Sequence, residues 1–490
     1  MTVWDYLVLG AYAVTMLAVG RYYATRTRSA DDYLLGGRNM SPLWIGLSLF
    51  ATLTSTLSYL AMPGEMIRHG PMLFAQVIAL PFAAIIVGWA LIPFLMRLPV
   101  TSGYELLEAK LGLVGRLLGS SMFLALRAVW MASILYATSF AFVVPLIEVD
   151  AKWTPLIAAI MGLLTVIYTA QGGLRAVVAT DAMQSIIMFI GAIASIVVVQ
   201  RALGGFDAWW PAAWHDHWQE PRFWPHVDAR VTFVTAFVNM FVWQVCTAGS
   251  DQMAMQRYLA TRDAPAARQS VFVHVLTETL IISLLALVGL AVLAFFRARP
   301  ELLASGTSPT ERADTLFPRF IMVGLPAGLT GLVAAAVLSA AMSSLSSGTN
   351  SITAVITSDF IGRFRRKPLD QAAQVRLARW ISLGVGVAAV LLSVIVGQVP
   401  GNLMDKCIKL VNLLSAPIFV LFFLAMFVPW AKPAGAVAAT VASVSLAVAI
   451  NFYGLFGLGM MWAGLGSLIV GIGAGALVSL LPWPEAARPD

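Results

Sequence analysis

The sequence predicts an all-α protein that crosses a membrane many times. Of its 490 residues 59% are hydrophobic and only 11% charged, and mean hydropathy is +0.84. Soluble domains carry roughly 25% charged residues, so a chain this depleted cannot cover a water-facing surface. Thirteen apolar runs of spanning length account for the composition.

The first run, 4–20, lacks a basic leader before it and a small-residue cleavage site after it. It reads as a retained span rather than a signal peptide. The second, 44–67, contains Ala51, Thr52, Thr54, Ser55, Thr56 and Ser58, with Pro63-Gly64 close behind. A segment so rich in hydroxyls and β-branched residues breaks easily. A broken membrane helix frees backbone carbonyls and bares two half-helix ends, which transporters use for ions and anionic substrates. A kinked packing helix explains the same residues. Runs at 72–96, 118–147, 154–172 and 181–203 follow, then 230–250 and 271–296 after a tryptophan-rich connection. The last five lie at 325–360, 377–398, 408–429, 434–451 and 459–481. Those at 118–147 and 325–360 exceed one bilayer thickness and must tilt, bend or extend beyond it. No stretch reads as an appended soluble domain, so residues 1–490 form one membrane domain.

An odd number of spans puts the termini on opposite sides. One set of connections, Arg21–Arg38, Arg97–Arg116, Arg175, Arg257–Arg268, Arg363–Arg379, Lys432 and Arg488, holds nineteen Lys and Arg; the other holds eleven, and Arg127 lies inside a run. The positive-inside rule then sets the N-terminus outside and the C-terminus in the cytoplasm. The longest connections, Leu203–Arg230 and Arg297–Pro326, fall outside. Trp209, Trp210, Trp214, Trp218 and Trp224 in the first fit either a cap over the protein or a belt at the membrane surface.

Polar residues inside spans are costly, so each one asks for a reason. Ala340, Ser343, Ser344 and Ser347 are three and four residues apart and form one stripe of a helix, flanked by Ser346. Such a stripe offers oxygen ligands to a small hard cation, and it equally suits close helix packing. Arg127 either snorkels to the headgroups or turns its fork to a carboxylate in an interior cavity. Asp181 either caps the helix that follows it or binds a cation.

Other chemistry finds little footing. The five histidines show no HExxH spacing, no GxSxG elbow or phosphate-binding glycine loop occurs, and His215 and His217 with Asp216 make only a weak metal pattern. Cys246 and Cys407 support neither a disulfide framework nor a thiolate metal site. The net charge of +7 is spent on topology and implies no nucleic acid. The expectation is therefore not an enzyme.

Six segments, in order, resemble the sodium:solute symporters: DDYLLGGRNMSPLWIGLSLFAT (31–52), TSGYELLEAKLG (101–112), YTAQGGLRAVVATDAMQ (168–184), SDQMAMQRYLATRD (250–263), DTLFPRFI (314–321) and AAMSSLSSGTNSITAVITSDF (340–360). MPGEMIRHG (62–70) and the stretch Gln252–Tyr258 are most similar to the branch carrying monocarboxylates, vitamins and iodide. The resemblance implies a LeuT-type fold of two five-helix inverted repeats, 44–203 and 230–429. One extra helix and loop (1–43) would precede them, an external loop (204–229) would join them, and two further helices (430–490) would follow. It also implies a main sodium site on the carbonyls of Ala51, Thr54 and Ala340 and the hydroxyls of Ser343 and Ser344. A second sodium position would map onto Asp181, Ser343, Ser346 and Ser347. Solute-binding positions would be Ser55, Ser58, Gln76 and Gln244. Arg127 falls where a sialic-acid-carrying relative uses an arginine for the carboxylate. Leu53, Leu57 and Ser58 stand where sugar carriers have amide or acidic groups, which argues against a sugar.

The resulting expectation is a secondary active symporter in the cell (inner) membrane. It would import a small, anionic organic solute with one or two sodium ions by alternating access, with no obligate protein partner. A channel or uniporter, and a proton-coupled carrier of the same fold, remain the alternatives. An autonomous sensor is disfavoured by the short tail from Trp483.

Overall fold

The computed structural model describes the whole chain except residues 98–99, 227–228, 304–309, 311–312, 368, 399–402, 456–459 and 483–490; the side chains of 403–410, 412 and 460 are also left aside. Arg312, Arg488 and the tail after residue 482 thus lie outside the described residues. Among those described, every regular element is helical.

Ten helices are long and apolar enough to cross a membrane, and eleven if a bent pair is one span. Helix α1 is Val3–Ala24. The bent pair, α2 (Pro42–Leu53) and α3 (Thr56–His69), turns by 68° between its halves. Thr54 and Ser55 are extended at the break, and the Ser55 hydroxyl caps α3 by accepting from the Ser58 amide at 3.3 Å. Span Pro71–Leu95 passes from 3₁₀ through α to π geometry. Helix α4 (Glu105–Ala137) starts well before the apolar run at 118 and has a non-helical Gly112.

The runs at 154–172 and 181–203 lie in two helical pieces, together α5 (Thr154–Leu203), that meet at a kink at Gly173, whose φ is 61°. The segment between them carries no proline, and Arg175 stays helical while bonding the Gly36 carbonyl and Asp32, both at 2.9 Å. A Cβ at Gly173 would lie 2.5 Å from the Tyr33 carbonyl oxygen, in a conformation that L-residues avoid. Gly173→Ala is therefore expected to cost roughly 2–4 kcal/mol. Thermal unfolding in detergent checks this against Gly10→Ala, where a Cβ meets nothing within 4 Å; equal stabilities would remove the glycine argument.

The run at 230–250 continues beyond its predicted end. Helix α6 (Phe233–Ser250) breaks at an extended Asp251 and resumes as α7 (Gln252–Leu259). The Asp251 carboxylate caps the second piece, accepting from the Met253 amide at 2.8 Å. Helix α8 is Ala264–Ala298, and α9 is Leu329–Val355. Helices α10 (Gln371–Gln398), α11 (Leu403–Phe427), α12 (Pro433–Tyr453) and α13 (Ala463–Leu480) complete the chain.

Burial orders these elements. In the most apolar window of the span that α9 opens, Leu329–Gly362, 83% of residues are buried, against 22% for α1 and α10. Helix α9 is thus the central post, packed against α5, α1, α2 and α4. Asp5 of α1 caps it, accepting from Gly328 and Gly331 amides at 2.8 and 2.9 Å. Beyond the C-terminal end of α3, Trp218 lies against Gly70 and donates from its indole to the Ile67 carbonyl at 3.4 Å. Trp209 and Trp218 are buried and act as a cap on the protein, whereas Trp210, Trp214 and Trp224 are exposed.

Candidate cation and solute site

Helix α2 stops at Leu53, so the carbonyls of its last turn lack helical donors. The serine stripe of α9 faces them. Ser343 donates to the Ala51 carbonyl at 2.7 Å and approaches its own helix's Ala340 carbonyl at 3.3 Å. Ser344 donates to the Thr52 carbonyl at 3.2 Å. Four of the five expected ligands of the main sodium site, Ala51, Ala340, Ser343 and Ser344, are thus gathered across the break. Neither serine bonds the carbonyl of Thr54, the fifth; that of Thr52 takes the hydrogen bond instead. All are oxygens, as a hard cation requires.

Deeper along the stripe, Ser347 donates to Asp181 Oδ2 at 3.2 Å and lies 2.8 Å from the Thr52 hydroxyl. Ser346 donates to the Ser343 carbonyl at 3.0 Å. Asp181 is not a helix cap, for it lies eight residues past the Gly173 kink, inside the second helical piece of α5. Its Oδ2 also accepts from Ser48 at 2.6 Å and from Arg257 Nη2 at 3.0 Å, while Oδ1 has no hydrogen-bond partner among the described residues. Arg257 is fully buried and braced by Ser48 at 2.8 Å, by the Met253 carbonyl at 2.8 Å and by the Ser347 hydroxyl.

The sequence reading missed Arg257 by counting it among cytoplasmic loop charges. It belongs to the second broken helix, whose polar half, QMAMQRYL, gives no hydropathy signal. The capping pattern SDQ before it was the available clue. Arg116 is likewise no loop charge: it is buried against Asp359 at 2.7 Å.

Of the solute-binding candidates, Ser55 is buried at the break and Ser58, 3.3 Å from it between hydroxyls, is exposed. Gln76 is half-buried on the segment that packs against α6. Gln244, on α6, points its amide nitrogen at His274 Nε2 (2.9 Å) and Glu278 Oε2 (3.0 Å) of α8. Arg127 does not snorkel. Its guanidinium is buried against Asp251, at the break between α6 and α7, and its Nε has no partner among the described residues. His215 and His217 bond Arg297 and the Ile67 carbonyl, and among the described residues no three His, Cys, Asp or Glu gather as metal ligands.

Two interrupted helices against a serine-lined central post, inside an all-helical membrane body, define an ion-coupled membrane transporter rather than an enzyme. The model of the sodium:solute symporter family matches residues 33–443, and the chain belongs to that family. It is 30% identical over 476 residues to the sodium-dependent multivitamin transporter of Oryctolagus cuniculus, covering 96% of this chain and 72% of that one. It is 28% identical over 474 residues to a sodium/sialic acid symporter of Aliivibrio fischeri, covering 92% and 90%. Among solved structures, the substrate-bound outward-open state of a Na⁺-coupled sialic acid symporter shares the fold. Its TM-score is 0.84 at 24% identity, covering 99% of both chains. The protein is therefore a multi-pass integral membrane symporter with the LeuT-type fold, and sodium is its coupling ion.

Proposed function

We propose that the protein imports a small organic anion, a carboxylate, together with sodium, and that the ion binds among the Ala51, Thr54 and Ala340 carbonyls and the Ser343 and Ser344 hydroxyls. The observation that carries this reading is the pair of bonds across the break, Ser343 to Ala51 at 2.7 Å and Ser344 to Thr52 at 3.2 Å. A cation there ties α2 to α9 and favours the arrangement open to the outside. Solute and sodium then raise each other's affinity by the same factor. Each entering sodium gains about 2.3 kcal/mol per 100 mV of membrane potential.

Asp181, Ser343, Ser346 and Ser347 form the second sodium position in this reading. A cation there competes with Arg257, which already neutralises the carboxylate. The solute lies among Ser55, Ser58, Gln76 and Gln244, with Arg127 at its inner side. Because Asp251 holds the Arg127 fork, a solute carboxylate reaches that arginine through its unpartnered Nε or by displacing Asp251. The chain crosses thirteen times, N-terminus outside and C-terminus cytoplasmic, in repeats 44–203 and 230–429. The matching breaks at Thr54–Ser55 and at Asp251, each near the start of its repeat, support this arrangement. The carboxylate class draws support from the sialic acid carriers and from the sodium-coupled monocarboxylate transporter of Homo sapiens, to which the chain is 27% identical over 481 residues.

Reconstituted vesicles test it. With sodium outside, N-acetylneuraminate, pyruvate or pantothenate should accumulate above the external concentration, and choline in place of sodium should abolish this. Equal uptake in choline, or equilibration without accumulation, would replace the symporter by a uniporter or another coupling ion.

A further inference from the structure

His274 and Glu278 are one helical turn apart on α8, with Nε2 and Oε2 at 3.2 Å. Both are buried, as is Gln244, whose amide nitrogen bridges to each of them. They sit ten and fourteen residues into α8, about 15–21 Å from its inner end and so near mid-depth. Two ionisable groups at that depth are expensive to keep, and nothing in the sodium-coupling scheme uses them.

Their surroundings offer no other charge. Of the elements packed on α8, α2, α6 and the span Pro71–Leu95 have no Asp, Glu, Lys, Arg or His at all. Helix α3 brings Glu65, Arg68 and His69 at its outer end, and the external helix Ala313–Val323 brings Asp314 and Arg319. The 3₁₀ turn Pro300–Leu302 brings Glu301 outside. Helix α5 contributes Arg175, Asp181 and Arg201, of which Asp181 is spent on Arg257 of α7. Asp251, just ahead of α7, is spent on Arg127. Among the described residues the only ion-pair partner of Glu278 is His274.

Two buried atoms of the cluster have no hydrogen-bond partner among the described residues: Gln244 Oε1 and His274 Nδ1. With a neutral imidazole the pair carries one negative charge. Because the Gln244 amide nitrogen can only donate, His274 Nε2 accepts and the neutral imidazole keeps its proton on Nδ1; one added proton, on the Glu278 carboxyl, brings the pair to zero. An anion next to the cluster is repelled before that proton arrives and is no longer repelled after it.

We propose that His274 and Glu278 form a proton-binding subsite beside Gln244, loaded from outside with the anionic solute and emptied with it to the cytoplasm, so that import is linked to a proton as well as to sodium. This rests on Gln244 lining the solute position as proposed above. The proton leaves external water, resides on the pair during the crossing and is released to internal water. By linkage, each obligatory proton makes apparent solute affinity fall about tenfold per pH unit above the titration.

Infrared difference spectra of the purified full-length protein, titrated from about pH 5.5 to 8.5 in sodium, read the carboxyl directly. A protonated-carboxyl band that titrates in the parent, vanishes in Glu278→Gln and moves in His274→Gln is expected. No such band in the parent, or its persistence in Glu278→Gln, overturns the proposal. In vesicles, sodium-driven uptake of N-acetylneuraminate, pyruvate or pantothenate should lose its pH slope in Glu278→Gln and keep it in Thr277→Val. The parent's slope retained in Glu278→Gln would reduce the pair to packing. Failure of the parent to take up any of the three with sodium would sink the import reading, and the infrared titration would still decide the fate of the pair.

Discussion

Replacing Arg257 by Met is expected to destabilise the protein by about 3–5 kcal/mol, because it strands the Asp181 carboxylate in a wholly buried place. Asp181→Asn should cost a similar amount by stranding the guanidinium. The double change Asp181→Asn with Arg257→Met should be less damaging than the sum, since neither charge is left alone. Thermal unfolding in detergent gives all three values. Additive losses would mean that the two side chains do not act as a pair. The same variant examines the second sodium position: with Arg257 gone, Asp181 and Ser347 are free to take a cation. Sodium at about a hundred times its dissociation constant would then restore about 2.7 kcal/mol. If sodium stabilises Arg257→Met no more than it does the parent, Asp181 belongs to the scaffold and the carrier runs on one ion.

Ser343→Ala should raise the sodium concentration for half-maximal uptake about 10- to 100-fold, with little change in the amount of protein in the membrane. The lost hydroxyl is both a cation ligand and the donor that reaches the Ala51 carbonyl at 2.7 Å. An interaction of this kind is worth about 1.5–3 kcal/mol, which converts to that range of affinity. Ser393→Ala is the control, since that buried hydroxyl only bonds a carbonyl of its own helix three residues back. A sodium titration that matches the parent in well-expressed Ser343→Ala protein would leave the stripe as a packing device.

Much of this architecture was legible beforehand, for a plain reason. A bilayer demands long apolar runs and punishes every exception, so spans and anomalies stand out together. The run around Thr52–Ser58 announced a weak helix, and it breaks there. The stripe at 340–347 announced one polar face, and it meets that break. The second interruption was not legible. Asp251 and the polar half-helix after it have the composition of a loop, and only the packing of α7 inside the body makes Arg257 a buried charge. Arg127 stayed open between two readings for a related reason: its partner, Asp251, is 124 residues away in the chain.

What the sequence by itself determined is the solvent each segment lives in, which residues share a helix face, and, through six ordered segments, the family. The first two depend on residues close together in the chain, and the third on the order of short segments along it. Which buried charge neutralises which was decided by tertiary structure alone. Ion pairing inside a membrane protein depends on distances of about 3 Å between helices whose order along the chain is silent about their contacts, and the low local dielectric gives each such distance its weight.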